Sequence, residues 1–160
     1  MFHITILAVG RLKEKYLSEG VREYLKRLSA YAKVEMFEVE DESFAENLSV
    51  VGLQKVKEKE GMRLLNRLRP NSFFVALDEK GEMRSSEEMA YLLNKLALTG
   101  NSDITIAIGG SLGLSKKIME RADLIISFSR LTFPHQLFRL ILMEQLYRWF
   151  KINRGEPYHH

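Results

Sequence analysis

Residues 103–121, DITIAIGGSLGLSKKIMER, decide the fold of this chain. Ile104, Ile106 and Ile108 lie in a short β-branched run that stops at Gly109-Gly110. A run of this length, bounded by glycine, reads as a buried strand over Asp103–Ile108. Beyond the glycine loop, Ser115 opens a short helix that extends to Arg121. Strand, glycine turn and helix make up the unit of parallel sheets, because a parallel neighbour is reached only by a crossover.

The unit recurs along the chain. Phe2–Val9 is apolar and β-branched and stops at Gly10, after which Leu12, Tyr16, Leu17, Val21, Tyr24, Leu25 and Leu28 recur at helical spacing. Val34–Val39 alternates like a half-buried strand, and residues 44–68 form a charged, helix-favouring stretch that ends before Pro70. Gly52 and Gly61 weaken that stretch and predict a broken helix. Strands follow at Phe73–Leu77 and Leu124–Phe128, and helices at Ser86–Leu98 and Pro134–Ile152. The pattern predicts an α/β fold, one domain over residues 1–160, with a mainly parallel sheet covered by helices on both faces. No repeat or linker divides it, and Pro70, Pro134 and Pro157 fall at element boundaries.

Composition narrows the function. With 46% hydrophobic and 28% charged residues over 160, the chain is far from the disordered regime. It has no cysteine, which removes disulfides, thiolate catalysis and zinc-finger or iron–sulfur chemistry. The opening MFHITILAVG has neither a basic leader nor a cleavage pattern, and no apolar run approaches the roughly 18 residues that span a bilayer. A soluble, cytoplasmic protein without a membrane partner is expected. Of the net charge of +3, only +1 belongs to residues 1–147; Arg148, Lys151 and Arg154 against Glu156 supply the rest. The basic character sits at the C-terminus.

In parallel sheets, ligands gather at the carboxyl ends of the strands. Three expected strand ends carry suggestive loops: LDEKG (77–81), GGSLG (109–113) and SRLTFPH (129–135). The glycine loop admits three readings. It can be a tight turn. It can cradle a phosphate, although glycines at 109, 110 and 113 fit neither G-x-G-x-x-G nor Walker A. Residues 109–113 also spell G-x-S-x-G, and Ser111, Asp123 and His135 follow in the order of a serine hydrolase. Against that triad, Asp123 would stand at the start of a strand. His135 reads otherwise as a capping or packing residue. No His/Asp cluster points to a metal, and the seven scattered methionines are core filling.

The last helix has almost no wholly polar face: Leu137, Phe138, Leu140, Ile141, Leu142, Met143, Leu146, Tyr147, Trp149 and Phe150 surround it. It must be covered on all sides, either as a central helix or by a second copy of the chain, and a homodimer is the expected solution.

Three ordered stretches, ITILAVGRLKEKY (4–16), IGGSLGLS (108–115) and LTFPHQLFRLILMEQLYRWFKINRGEPYHH (131–160), closely resemble the bacterial large-subunit ribosomal RNA pseudouridine methyltransferases of the knotted SPOUT superfamily. The likeness covers nearly the whole chain. It implies a homodimer whose C-terminal trefoil knot binds S-adenosylmethionine, without a metal. It further implies methylation of N3 of a pseudouridine in a 23S rRNA stem-loop within the ribosome. By the same motifs the cofactor site falls on Leu77, on Gly109, and on Phe128, Ser129, Arg130, Leu131, Thr132 and Phe133. These belong to the three loops that the sheet rule selects. The resemblance also implies that the tail reaches an active site, with Arg148 for phosphate or ring-anion contact, Tyr158 for stacking and His159 as base. The family tends to end in a basic residue after Tyr-His, whereas His160 stands here. The opposing reading is a non-catalytic ribosome-binding or RNA-binding module on the same scaffold. A net charge of only +3 favours an assembled ribosome over isolated RNA as the target.

Overall fold

Strands and helices alternate through all ten elements of the computed structural model, which describes residues 1–160. The strands are β1 (Phe2–Val9), β2 (Ala32–Val39), β3 (Phe73–Met83), β4 (Asp103–Ile108) and β5 (Leu124–Ser127). The helices are α1 (Lys15–Leu28), α2 (Val50–Leu65), α3 (Ser86–Leu98), α4 (Lys116–Arg121) and α5 (Leu137–Arg154). The strands form one sheet in the order β2-β1-β4-β3-β5, with every pairing parallel.

Successive side chains of a strand point to opposite faces, and the two faces bury different layers. Ile4, Ile6 and Ala8 of β1 and Ile104, Ile106 and Ile108 of β4 pack with Val21 and Leu28 of α1, Leu93 of α3, and Leu142, Leu146 and Trp149 of α5. The alternate residues, Leu7, Val9, Phe74, Ala76 and Ala107, pack with Leu64 of α2 and Ile118 of α4. No helix is long and apolar enough to cross a membrane.

Three local expectations need correction. The helix expected over 44–68 begins only after Ser49, whose side chain accepts the Gly52 N–H, and it runs unbroken through Gly52 and Gly61. Gly61 is there for packing: a Cβ at that position would stand 2.4 Å from Ser115 Oγ, so its lack lets α2 close on the start of α4. The helix expected from Pro134 starts at Leu137 and continues to Arg154, where Gly155 takes the left-handed conformation (φ 64°) and stops it. The strand expected to end at Leu77 continues to Met83, with a register jump that places Ile126 opposite both Leu77 and Glu82. Gly81 permits this: a Cβ there would lie 2.6–2.8 Å from the backbone of Ile125 and Ile126.

Helix α5 is the middle helix of its layer, lying on the sheet between α1 and α3, but Leu137, Leu140, Ile141 and Tyr147 stay partly exposed. Leu142, Met143, Leu146, Trp149 and Phe150 are all buried, at about 1.5–3 kcal/mol each. The remaining apolar surface of α5 is what a second copy would cover.

At the start of α5, Arg139 is 1% exposed. Its Nη2 donates to the carbonyls of Val9 (2.9 Å) and Gly10 (2.7 Å), and its Nη1 pairs with Glu38. This guanidinium fastens α5 to the carboxyl end of β1. Replacing Arg139 by Met keeps the stem but leaves the two carbonyls without their donor. The expected loss is about 2–6 kcal/mol of unfolding free energy, from roughly 1–3 kcal/mol per orphaned buried group. It is read as a lower urea midpoint at unchanged slope.

Candidate functional site

A cavity of about 600 Å³ opens at the carboxyl ends of β3, β4 and β5, where the three suggestive loops meet. Leu77, Gly109, Phe128, Ser129, Leu131, Thr132 and Phe133 line it. Arg130 lies in the same loop but does not line the wall. The walls are largely apolar, with Ile108, Leu112, Met119 and Phe138 among them, and Asp78 and Glu79 add two carboxylates. Gly109 is required for the shape of the loop, since a Cβ there would lie 2.6–3.0 Å from the backbone of Gly113. Gly110 and Gly113 close a small bridge, Gly113 at φ +86°. Gln54 and Lys57 of α2 and Lys116 of α4 complete the wall. Sequence reasoning missed these three, because on a charged helix their spacing reads only as a solvated face.

The serine-hydrolase constellation does not assemble. Ser111 and His135 both line the cavity, but Asp123 stands at the opposite end of the sheet, where its Oδ2 accepts the Phe74 N–H at 2.8 Å. Without a carboxylate to orient it, His135 is no triad base. Its imidazole is held below its ordinary range by burial, and the charge of Arg139 adds to the effect, which keeps it neutral at pH 7.

The three tail residues come together elsewhere. Arg148 Nη1 is 3.1 Å from His159 Nδ1, and His159 Nε2 is 2.6 Å from Glu87 Oε1 on α3. Glu144 Oε1 accepts from Arg148 Nε at 2.9 Å and from the Tyr158 hydroxyl at 3.1 Å. Tyr158 OH also lies 3.2 Å from Tyr24 OH of α1, and the Arg148 guanidinium stands 4.8 Å over the Tyr158 ring. Burial and these partners raise the Tyr158 phenol, so it stays protonated. The tail is thus docked and half-buried. Sequence pattern alone had no way to select Glu87. Glu144 did leave a signal, four residues before Arg148 on one helix face.

None of these tail residues lines the cavity. Phe138, near the start of α5, is at the cavity, whereas Phe150, near its end, packs on Phe2 at the other edge of the sheet. Arg148 lies ten residues along α5 from Phe138, which at 1.5 Å each is about 15 Å from the cavity wall.

Comparison with known proteins assigns the chain to a family. Residues 2–159 match the family model described as "Predicted SPOUT methyltransferase". The chain belongs to the SPOUT methyltransferase family. It is 71% identical over 160 residues, all of both chains, to the ribosomal RNA large subunit methyltransferase H of Pelotomaculum thermopropionicum. Proteins of the same name from Carboxydothermus hydrogenoformans (58% identity, 98% of each chain) and Bacillus thuringiensis (54%, 98% of this chain and 99% of that one) are also similar. Among solved structures, a probable methyltransferase from Bordetella pertussis Tohama I shares the fold at TM-score 0.54 and 14% identity, over 92% of this chain and 95% of that one.

A SPOUT methyltransferase needs a site for a methyl donor, and the cavity fits the one the family implies. Adenosine asks for apolar walls and close backbone, and the positive methionine end asks for carboxylates; Leu77, Phe128 and Phe133 meet the first need and Asp78 and Glu79 the second. No group of three or more His, Asp or Glu side chains is arranged to hold a metal ion.

One buried acid supports the cavity wall from behind. Glu60 of α2 is 5% exposed, its Oε2 accepts the Glu42 N–H at 3.0 Å, and its Oε1 has no partner. Both oxygens lie 3.6 Å from where a Cβ on Gly110 would be. Burial raises its pKa above the ordinary carboxylate value. In that range the folded state holds the proton more tightly than the unfolded state, so stability falls as pH rises from the ordinary carboxylate pKa through the folded one. Glu60→Gln should therefore gain on the parent between pH 4 and pH 8, with no advantage below the ordinary carboxylate pKa. Paired urea titrations across that range test it.

Proposed function

We propose that this chain is an S-adenosylmethionine-dependent methyltransferase of large-subunit ribosomal RNA, acting on N3 of a pseudouridine in a 23S stem-loop within the subunit or the assembled ribosome in the cytoplasm. The observation that carries the reading is the cavity built from three strand-end loops at one edge of a parallel sheet, in a chain whose relatives bear the name of a large-subunit rRNA methyltransferase. The choice of N3 of pseudouridine follows from the resemblance of the sequence motifs.

In this reading residues 1–160 form one catalytic unit. Leu77, Gly109 and the segment Phe128, Ser129, Arg130, Leu131, Thr132 and Phe133 hold the donor. When bound, the donor supplies a sulfonium methyl group already activated for transfer. The residues of the cavity fix its direction and keep water from competing. Lys57, Lys80 and Lys116 at the wall, with Arg130, supply positive charge for the phosphates of the RNA. A C-terminal knot belongs to the same reading.

The tail residues Arg148, Tyr158 and His159 act in the site of a second copy. They stand outside the cavity of their own chain, Arg148 about 15 Å along α5 from Phe138, and a two-fold arrangement with antiparallel α5 helices brings each tail to the other cavity. Arg148 faces the ring anion or a phosphate, Tyr158 orients the base, and His159 takes the N3 proton that a uracil-like ring keeps at neutral pH.

Titration calorimetry of S-adenosylmethionine and its demethylated product into the purified chain is expected to give micromolar binding. Gly109→Val, which drives a side chain into Gly113, should abolish the heat while the protein still melts cooperatively. Absence of binding by the folded parent would sink the reading. Sedimentation equilibrium is expected to return twice the chain mass of 18.6 kDa. A monomer that is fully active would remove the shared site.

A further inference from the structure

We propose that Glu87 is a positioning residue for methyl transfer, which together with Arg148 holds His159 in the one tautomer whose Nδ1 lone pair can receive the proton of the acceptor nitrogen. The inference rests on the reading that the tail serves a methyl-transfer site.

The argument follows from what each partner is able to donate. A guanidinium has only donors, so the 3.1 Å contact of Arg148 Nη1 with His159 Nδ1 requires a lone pair on Nδ1. An ionised carboxylate has only acceptors, so the 2.6 Å contact of Glu87 Oε1 with Nε2 requires the proton on Nε2. Two independent contacts from two helices select the same tautomer. The hydrogen bond from His159 holds Glu87 below the ordinary carboxylate range, so it is ionised at neutral pH.

The charged and titratable groups around the imidazole come from three elements. They are Arg148 and Glu144 on α5, Glu87 on α3, and Tyr24 on α1 acting through Tyr158. A carboxylate on one imidazole nitrogen and a lone pair on the other is the arrangement of a positioned general base. In the transfer, the N3–H bond breaks and its proton goes to Nδ1, while the electron pair left on N3 bonds the methyl carbon. The pair of the broken carbon–sulfur bond stays on sulfur. The positive charge lost at sulfur reappears on the imidazole, where Glu87 faces it across the Nε2–H. Arg148 leaves Nδ1 as the substrate arrives and keeps a donor for the ring oxygen.

Glu87 is open to substitution without damage to its helix. The capping box at the start of α3 is made by Ser85 and Glu88, and Glu87 itself is exposed.

The test combines two readouts on the full chain. Nitrogen-15 correlation spectra of the imidazoles, with His159→Gln for assignment, are expected to show neutral His159 protonated at Nε2. Glu87→Gln should change the pH dependence of methylation by about half a unit, the size expected for losing one partly exposed charge partner. The acid limb of the pH profile for methylation of large subunits should move to lower pH by the same amount, and Glu87→Asp should restore most of the shift. An Nδ1–H tautomer in the parent, or a Glu87→Gln profile that overlays the parent, overturns the proposal. A parent chain that binds no S-adenosylmethionine and modifies no subunit overturns the underlying functional reading, and the base role falls with it. An active parent with an unshifted profile overturns the role of Glu87 alone.

Discussion

A single buried guanidinium ties the two halves of this molecule together. Arg139 reaches across 130 residues of sequence to the last carbonyls of β1 and pairs there with Glu38 from β2. A buried charge is costly unless it is paired, so α5 begins where those carbonyls and Glu38 are. That constraint fixes the far end of the 128–136 loop, whose near end is fixed by β5. The loop is held at both ends and forms one wall of the cavity. The same guanidinium stands near His135 and helps to keep its imidazole neutral.

Once α5 is pinned at its start, its length decides where the tail lies. The helix crosses the sheet between α1 and α3, stops at Gly155, and folds the last residues back onto its own surface. Lys151 and Tyr31 take Glu156, Glu144 takes Arg148 and Tyr158, and Glu87 takes His159. Each contact is modest where it is partly solvated, but the groups share partners and so restrain one another. A tail of five residues that would fray in isolation is given a defined conformation against α5, α1 and the first turn of α3, outside the cavity. In the proposed dimer this separation turns into proximity, because two-fold symmetry sets one end of α5 beside the other end of its mate.

Much of the fold was legible in the chain. Apolar runs with period two and glycine stops marked β1 and β4 to the residue, and helical spacing marked α3 with both its bounds. The three loops of the cavity followed from where strands end. Two of the errors share one cause. The extension of β3 depends on Gly81 approaching the backbone of Ile125 and Ile126, and the unbroken α2 depends on Gly61 meeting Ser115. A glycine that weakens a helix and a glycine that admits a neighbour look alike in sequence. Arg139 left a trace as a charge within an apolar helix. Nothing in its neighbours named Val9, Gly10 and Glu38 as its partners.

The sequence by itself determined the α/β alternation, the loops that bear the cavity and the residue types gathered in the tail, because periodicity and turn chemistry act between residues a few positions apart. Only the tertiary structure decided that Asp123 faces the wrong edge for a triad and that α5 lies between α1 and α3. It alone placed Glu87 on the imidazole of His159, 72 residues away. Those outcomes depend on which distant segments share a space, a matter settled by packing around the whole sheet and not by any local stretch of chain.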